Sequence, residues 1–358
     1  MADEKTKVER NVLQFDMNSW KENIQNHLRR GKGHFFSYLW NRIQWNHFHK
    51  YKIVPQFPLN VDIESSSSCN IKCDHCFRQY MKVPEAGLMP FELYRKVVDE
   101  CGRYGLFTLK FSMRGEPTMH PQIVEMVDYA KKKGVKEIWI NTNGSLLTEK
   151  MAEGFIKANL DCLTCSFDGL GEMFESVRKP LKYEDTLARI KMFRQVRDRL
   201  GASKPLFKVQ TLWSAIKHDP EEYFSVMEPI VDKVSYNIDF DFKEIHFVPD
   251  PEYVCYRLWQ RLAITSKGYV LKCPSDFEQM EPIGNVREQS IKEIWDSAQE
   301  QERKRHLSGE RLHSEVCRKC HHGAKVVKGS KSYSNKDQSV NELEYEGGFD
   351  GVGLNRPL

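Results

Sequence analysis

The stretch SSSSCNIKCDHCFRQY, residues 65–80, puts Cys69, Cys73 and Cys76 within eight residues, immediately after the alternating run LNVDIES (59–65). The next cysteine, Cys101, lies 25 residues further on. Apolar and polar side chains in strict alternation predict a β-strand. The three thiols therefore fall in a loop at a strand's carboxyl end, where α/β sheets and barrels keep their chemistry.

Outward from that loop, strand and helix signals alternate. Strands are expected over 59–65, 107–113, 137–141, 162–167 and 206–212 and near 234–238, with helices over 89–100, 121–133, 148–158, 185–199 and 219–231. This order implies right-handed crossovers and a parallel sheet covered on its outer face. The fold class is α/β: a partial (β/α)6 TIM-like barrel over residues 59–242, two units short of a full barrel. Residues 243–325 read as a small appended domain with a hairpin, AITSKGYVLKC (263–273), turning at Ser266–Gly268, and one helix in SIKEIWDSAQEQERKRH (290–306). The tail, 326–358, is polar and Gly-rich and is expected to be flexible.

Residues 1–58 form an N-terminal helical segment, with two short helices expected around Gly31 and Gly33. Trp20, Trp40 and Trp45 stand there among basic side chains. Such a surface suits nucleic acid, lipid or an acidic substrate. The preferred reading is a cap that packs its aromatic face on the next domain and leaves Lys and Arg in water.

The net charge of +4 is too small for a strong nucleic-acid signal, and no run of 18 apolar residues predicts a membrane span. The first residues, MADEKTKVERN, lack the apolar core of a secretory signal, so a cytoplasmic protein is expected. In that reducing compartment clustered cysteines read first as metal or redox ligands rather than disulfides, and seven of the ten are clustered or regularly spaced.

Three thiolates in one loop suit a cubane iron–sulfur cluster that lacks a fourth protein ligand. Zinc on the same thiolates with His75 is the alternative, although His75 directly adjoins Cys76. In its C-x3-C-x2-C loop after the first strand of a six-unit barrel, the sequence resembles the radical S-adenosylmethionine (radical SAM) enzymes. That resemblance implies a [4Fe-4S] cluster on Cys69, Cys73 and Cys76 whose open iron chelates S-adenosylmethionine and whose electron cleaves it to a 5′-deoxyadenosyl radical. It also implies an external one-electron reductant of flavodoxin or ferredoxin type.

Further residues agree with the resemblance. MRGEPTMHP (113–121) follows the second strand where the family carries Gly-Gly-Glu-Pro; Arg114 replaces the first Gly, while Gly115, Glu116 and Pro117 match. Gly115 lets backbone approach a ligand closely, Glu116 can accept from an ammonium, and Pro117 stiffens the turn. Asn143, in INTNGSLL (140–147), and Ser166 and Asp168, in SFDG (166–169), take the places of the family's cofactor contacts.

A second set follows. Twelve residues separate Cys255 from Gly268 and four separate Gly268 from Cys273, and Cys317 and Cys320 form a C-x2-C pair. Four thiolates close a cubane, and they also make a zinc ribbon. The spacing resembles the SPASM extension in its shortened, twitch form, which implies a second, auxiliary [4Fe-4S] cluster.

A twitch-type dehydrogenase would oxidise a secondary alcohol of a small carbohydrate-like substrate (a sugar, polyol or aminocyclitol), with the auxiliary cluster taking an electron. Three alternatives stay open. A carbohydrate epimerase needs a hydrogen-donor thiol, for which Cys165 is the candidate, with Cys162 on the opposite strand face and Cys101 in a helix. A peptide maturase would bring a leader-binding module that residues 1–58 do not suggest. A noncatalytic electron carrier or zinc-binding module would leave the GEP loop without a purpose.

Overall fold

Six short apolar-rich stretches form parallel strands: β1 (Asn60–Ile63), β2 (Thr108–Phe111), β3 (Glu137–Thr142), β4 (Cys162–Ser166), β5 (Leu206–Leu212) and β6 (Lys233–Asn237). The computed structural model describes residues 8–9, 14–84, 86–237, 248–324, 326–335, 338–345 and 349–354. Successive β-residues point to opposite faces, and the registers make the two faces chemically distinct. Ile63, Phe111, Ile140, Leu163 and Phe207 fall in one row and pack against the helices. Asp62, Lys110, Trp139 and Cys162 fall in the row that faces the barrel interior.

The helices between the strands are α3 (Phe91–Arg103), α4 (Ile123–Lys132), α5 (Glu149–Lys157), α6 (Gly171–Val177), α7 (Tyr183–Arg199) and α8 (Pro220–Met227). Their starts follow from local chemistry. Thr148 accepts from the Met151 amide, and Asp219 accepts from the Glu222 amide one residue before a proline that lacks the N–H a helix start cannot use. Each turns an apolar stripe to the sheet: Leu93, Tyr94, Val97 and Val98 of α3 are buried, as are Ile190 and Phe193 of α7. Burial of each such side chain contributes about 1.5–3 kcal/mol. Helix α6 was not expected; its seven residues carry too short a pattern to register.

The appended region is less separate than its sequence suggests. Its hairpin strands, β7 (Arg261–Ile264) and β8 (Tyr269–Leu271), are antiparallel as expected, but β7 also pairs in parallel with β1, Arg261 beside Asn60 and Ile264 beside Ile63. With β9 (Pro282–Asn285) and a short strand at Gln14–Asp16 on β6, the result is one ten-stranded sheet. Where one helix was expected, two follow, α9 (Ile291–Asp296) and α10 (Ala298–Leu307), parted at Ser297, whose backbone is not helical. The Trp295 indole N–H donates to the Pro55 carbonyl, and the Arg303 guanidinium lies 4.0 Å from its ring centre.

Two further expectations differ from the structure. Residues 326–335, 338–345 and 349–354, within the expected flexible tail, run as three antiparallel strands in a sheet of their own. The Val, Tyr and Phe residues there carry strand propensity that the glycines dilute in composition. The N-terminal pair, α1 (Trp20–Gly31) and α2 (Phe35–Ile43), does sit on the barrel, yet its aromatic face is not packed on it: Trp20, Phe36 and Trp40 are exposed. The strand starts beneath are polar and take the helices' polar side instead, as in the Arg30–Glu137 pair.

Glu64 ties three segments together. Its carboxylate accepts from Arg114 Nε and Nη2, both at 2.6 Å, and from the Ser266 amide at 3.0 Å. Removing one partner of a buried ion pair leaves an uncompensated charge and costs about 3–5 kcal/mol. Glu64→Ala is expected to lower the thermal unfolding temperature, with Glu64→Ala/Arg114→Leu recovering most of the loss.

Candidate functional site

The loop after β1 is held from several sides by the protein's own backbone and side chains. Backbone bonds run from the Ser67 amide to the Gly87 carbonyl, from Lys72 to Lys179 and from Asp74 to Val177. Arg78 Nη1 donates to the carbonyls of Ser67 at 2.7 Å and Arg114 at 3.0 Å, joining the cysteine loop to the loop after β2. Cys69, Cys73 and Cys76 thus border one cavity of about 450 Å³ at the carboxyl ends of the strands. His75, the possible zinc partner, is not among its lining residues. Burial pushes the Cys73 thiol up to about 11, while the Arg178 guanidinium, 3.8 Å from its sulfur, pulls the other way.

The loop after β2 explains its own sequence. A Cβ on Gly115 would lie 2.2 Å from the Ser66 carbonyl oxygen and 2.5 Å from that of Ser68. Gly115 lines the cavity, and its lack of a side chain also lets this loop lie on the backbone leading into Cys69. Glu116 Oε1 accepts from the Thr118 amide, the Thr118 hydroxyl and the Thr142 hydroxyl, and Oε2 accepts from the Asn143 amide at 2.7 Å. Only Oε2 keeps capacity for an ammonium donor in the cavity that Glu116 lines. Pro117 begins the short 3-10 turn Pro117–Met119 behind it. Met113, also a lining residue, holds φ at 103°, a conformation that costs a residue with a side chain about 1–3 kcal/mol.

Asn143 and Ser166 both line the cavity, and Asn143 Nδ2 donates to Asn70 Oδ1 at 2.9 Å, reaching the cysteine loop. Asp168 does not line it. Its Oδ2 accepts from Arg178 Nε at 2.6 Å and its Oδ1 from the Leu212 amide at 2.9 Å, so it positions Arg178, which does reach the cavity. Cys165 is set apart from the cavity: it pairs with Val209, faces the helices and sits in the apolar core. Cys162 faces the interior row but is not a lining residue, and Cys101 is buried in α3.

The sequence did not single out the cavity floor: Asp62, Lys110 and Arg261, with Arg261 Nη1 3.3 Å from Asp62 Oδ2. A charged residue between two apolar ones in VDI and LKF was the available signal, since alternation puts it on the interior face. The Lys110 side chain makes no hydrogen bond among the described residues; burial lowers its pKa, and the nearby Asp62 carboxylate works the other way. Arg178, ten residues past Asp168, had no signal.

The structure brings the thiols of the second cysteine set near one another. Burial first, and then the neighbouring thiols of Cys273 and Cys317, push the Cys255 thiol up to about 11 and that of Cys320 up to about 12. His306, also unforeseen, bridges two of them: Nε2 is 3.5 Å from Cys317 Sγ, and Nδ1 accepts from the Cys255 amide. Burial lowers its pKa to about 3, so the ring is neutral. Residues next to these cysteines form the far wall of the same cavity: Arg257, Pro274, Ser275, Phe277 and His322. Phe277 stacks on Phe77, ring centres 3.8 Å apart, clasping the two cysteine segments together.

Among the described residues no three His, Cys, Asp or Glu side chains converge closely enough for a single metal ion. The donor sets suit clusters, in which each thiolate binds a different iron: three thiols beside open space in the loop, four thiols in the C-terminal region.

Residues 63–203 match the family model of the radical SAM superfamily, and residues 255–321 match that of SPASM, an iron–sulfur cluster-binding domain. The tungsten-containing aldehyde ferredoxin oxidoreductase cofactor-modifying protein of Pyrococcus furiosus is 31% identical over 160 residues, 42% of each chain. GTP 3′,8-cyclase of Chlorobaculum tepidum is 31% identical over 155 residues, 42% of this chain and 44% of that one. The chain thus spans less than half the length of these curated relatives. SuiB of Streptococcus suis, solved bound to S-adenosylmethionine, shares the fold with a TM-score of 0.53 at 14% identity, over 85% of this chain and 83% of that one.

Gly115→Ala is expected to displace the Ser66–Ser68 strap, at a cost of about 1–3 kcal/mol. Iron and sulfide assays after anaerobic reconstitution should then show loss of the loop cluster alone, with the far-ultraviolet circular dichroism unchanged.

Proposed function

The chain is a radical SAM protein whose radical SAM domain is followed by a SPASM iron–sulfur domain, and from that premise we propose that it oxidises a secondary alcohol of a sugar, polyol or aminocyclitol to a ketone. The observation that carries this reading is the shared cavity, with Cys69, Cys73 and Cys76 on one wall and residues adjoining Cys255, Cys273 and Cys320 on the other. When bound, S-adenosylmethionine on the loop cluster supplies a hydrogen-abstracting 5′-deoxyadenosyl radical, and the C-terminal cluster supplies a one-electron acceptor.

The protein's own part is placement. Glu116 Oε2, Asn143 and Ser166 orient the sulfonium nucleotide against the loop. The floor holds the substrate: Lys110 donates to its oxygens, and Asp62 presents a carboxylate oxygen to which the hydroxyl proton passes. A floor this rich in charge suits a polyhydroxylated molecule over an apolar one. With both groups bound, the nucleotide would take one hydrogen atom and the C-terminal cluster one electron while Asp62 takes the proton, so the substrate would lose two hydrogens. A flavodoxin- or ferredoxin-type reductant supplies the starting electron.

The four-cysteine C-terminal set, room for one auxiliary cluster, supports oxidation. Epimerisation is less well supported, because Cys165 lies on the helical side of the sheet and the loop cysteines are the only thiols among the described lining residues.

Cys73→Ala is expected to lose one cluster's absorbance and all 5′-deoxyadenosine formation. Cys317→Ala is expected to keep cleaving S-adenosylmethionine while forming no product. Identical behaviour of the two variants, or a product of unchanged mass instead of one lighter by two hydrogens, rejects the reading. Lys110→Met is expected to raise KM about tenfold or more, the effect of one lost charge-assisted hydrogen bond.

A further inference from the structure

Helices α1 and α2 lie on the barrel with the usual polarity of a surface helix reversed. Their contacts with the barrel are largely polar. Asn26 Nδ2 donates to the Asp232 carbonyl, Arg29 Nε to the Ser203 carbonyl, and Arg30 pairs with the buried Glu137. Tyr38 and His34 rest on Phe107. The outer side is apolar: Trp20, Ile24 and Leu28 recur at four-residue spacing along α1, and Phe35, Phe36, Leu39, Trp40 and Ile43 spread over an arc of about 140° on α2 at ~100° per residue. Trp20 is 64% exposed and Phe36 84%.

Charge around this face is of one sign. Lys21, Lys32, Lys50 and Lys52 are exposed around it, while Glu22 is the one acidic residue between positions 20 and 54. Its carboxylate is engaged by the amide and hydroxyl of Ser19 in the helix cap. We propose that this face docks on an anionic lipid bilayer, with the aromatic and aliphatic side chains entering the headgroup boundary and the lysines resting among anionic headgroups. No helix among the described residues is long and apolar enough to cross a membrane; the binding is peripheral.

Two other occupants fit less well. Nucleic acid stacks on aromatic rings but leaves Ile24, Leu28, Leu39 and Ile43 in water. A second copy in twofold contact sets like-charged rims against each other. The helices cover the amino-terminal ends of the strands, touching Phe107, Glu137 and Asp232, so a docked barrel turns its cysteine-lined cavity away from the lipid.

The test is flotation of the reconstituted full chain with phosphatidylcholine vesicles, with and without phosphatidylglycerol. Expected is binding to the phosphatidylglycerol vesicles that falls steeply with added salt and is weak on phosphatidylcholine alone. Lys21→Gln and Lys32→Gln should each lower the partition coefficient about fivefold, and Phe36→Ser with Trp40→Ser should abolish flotation. Cluster absorbance and 5′-deoxyadenosine formation should remain unchanged in these variants. The proposal is overturned by no flotation at low salt, by equal binding to both vesicle types, by a solution dimer that the Phe36/Trp40 variant dissolves, or by RNA oligonucleotide binding that displaces the vesicles.

Discussion

The top of the barrel depends on one close approach of backbone to backbone. The loop at Arg114–Glu116 lies so near Ser66–Ser68 that no side chain fits at position 115, and the Glu116 amide donates to the Ser68 carbonyl at 2.8 Å. Through this contact the second strand's loop fixes the first strand's loop, and so the direction in which Cys69 leaves the sheet. Glu116 then extends the chain of contacts to Thr142 and Asn143, and Asn143 returns to Asn70 in the cysteine loop. The cysteines are placed by a closed circuit of short hydrogen bonds made by the protein's own groups, the condition for a site that holds its geometry.

Arg114 shows how a departure from a glycine-rich pattern is absorbed. Its guanidinium pairs with Glu64, and Glu64 also receives the Ser266 amide at the hairpin turn. A buried ion pair is weak evidence of net stability but strong evidence of register, because neither charge has another place to go. Here it locks the C-terminal hairpin to the strand that carries the cysteine loop. β7 completes the lock by pairing with β1, so the two cysteine-bearing regions share one sheet.

The interior face sets the chemistry. Most barrel cores of this kind fill with apolar residues in layers; here Asp62, Lys110, Thr164 and Lys208 face inward. Burial lowers the pKa of Lys208 to about 8. The apolar core lies outside the strands, against the helices, and that division leaves a polar cavity at the strands' carboxyl ends.

Much of this was legible in the chain itself. The six parallel strands with helices between them, the hairpin turning at Ser266–Gly268 and the spacing of both cysteine sets follow from patterns within a few tens of residues, because alternation, turn chemistry and ligand spacing are local properties. Three things needed the tertiary structure. Which face of β4 carries Cys165 depends on register, and a one-residue change of register exchanges the faces. Asp168 serves Arg178, and His306 bridges Cys255 and Cys317, through contacts between distant segments that no spacing rule encodes. The outward turn of the aromatic face on α1 and α2 was decided by the polar strand ends beneath them: a helix pattern states that it has two faces, and only the partner surface determines which one is buried.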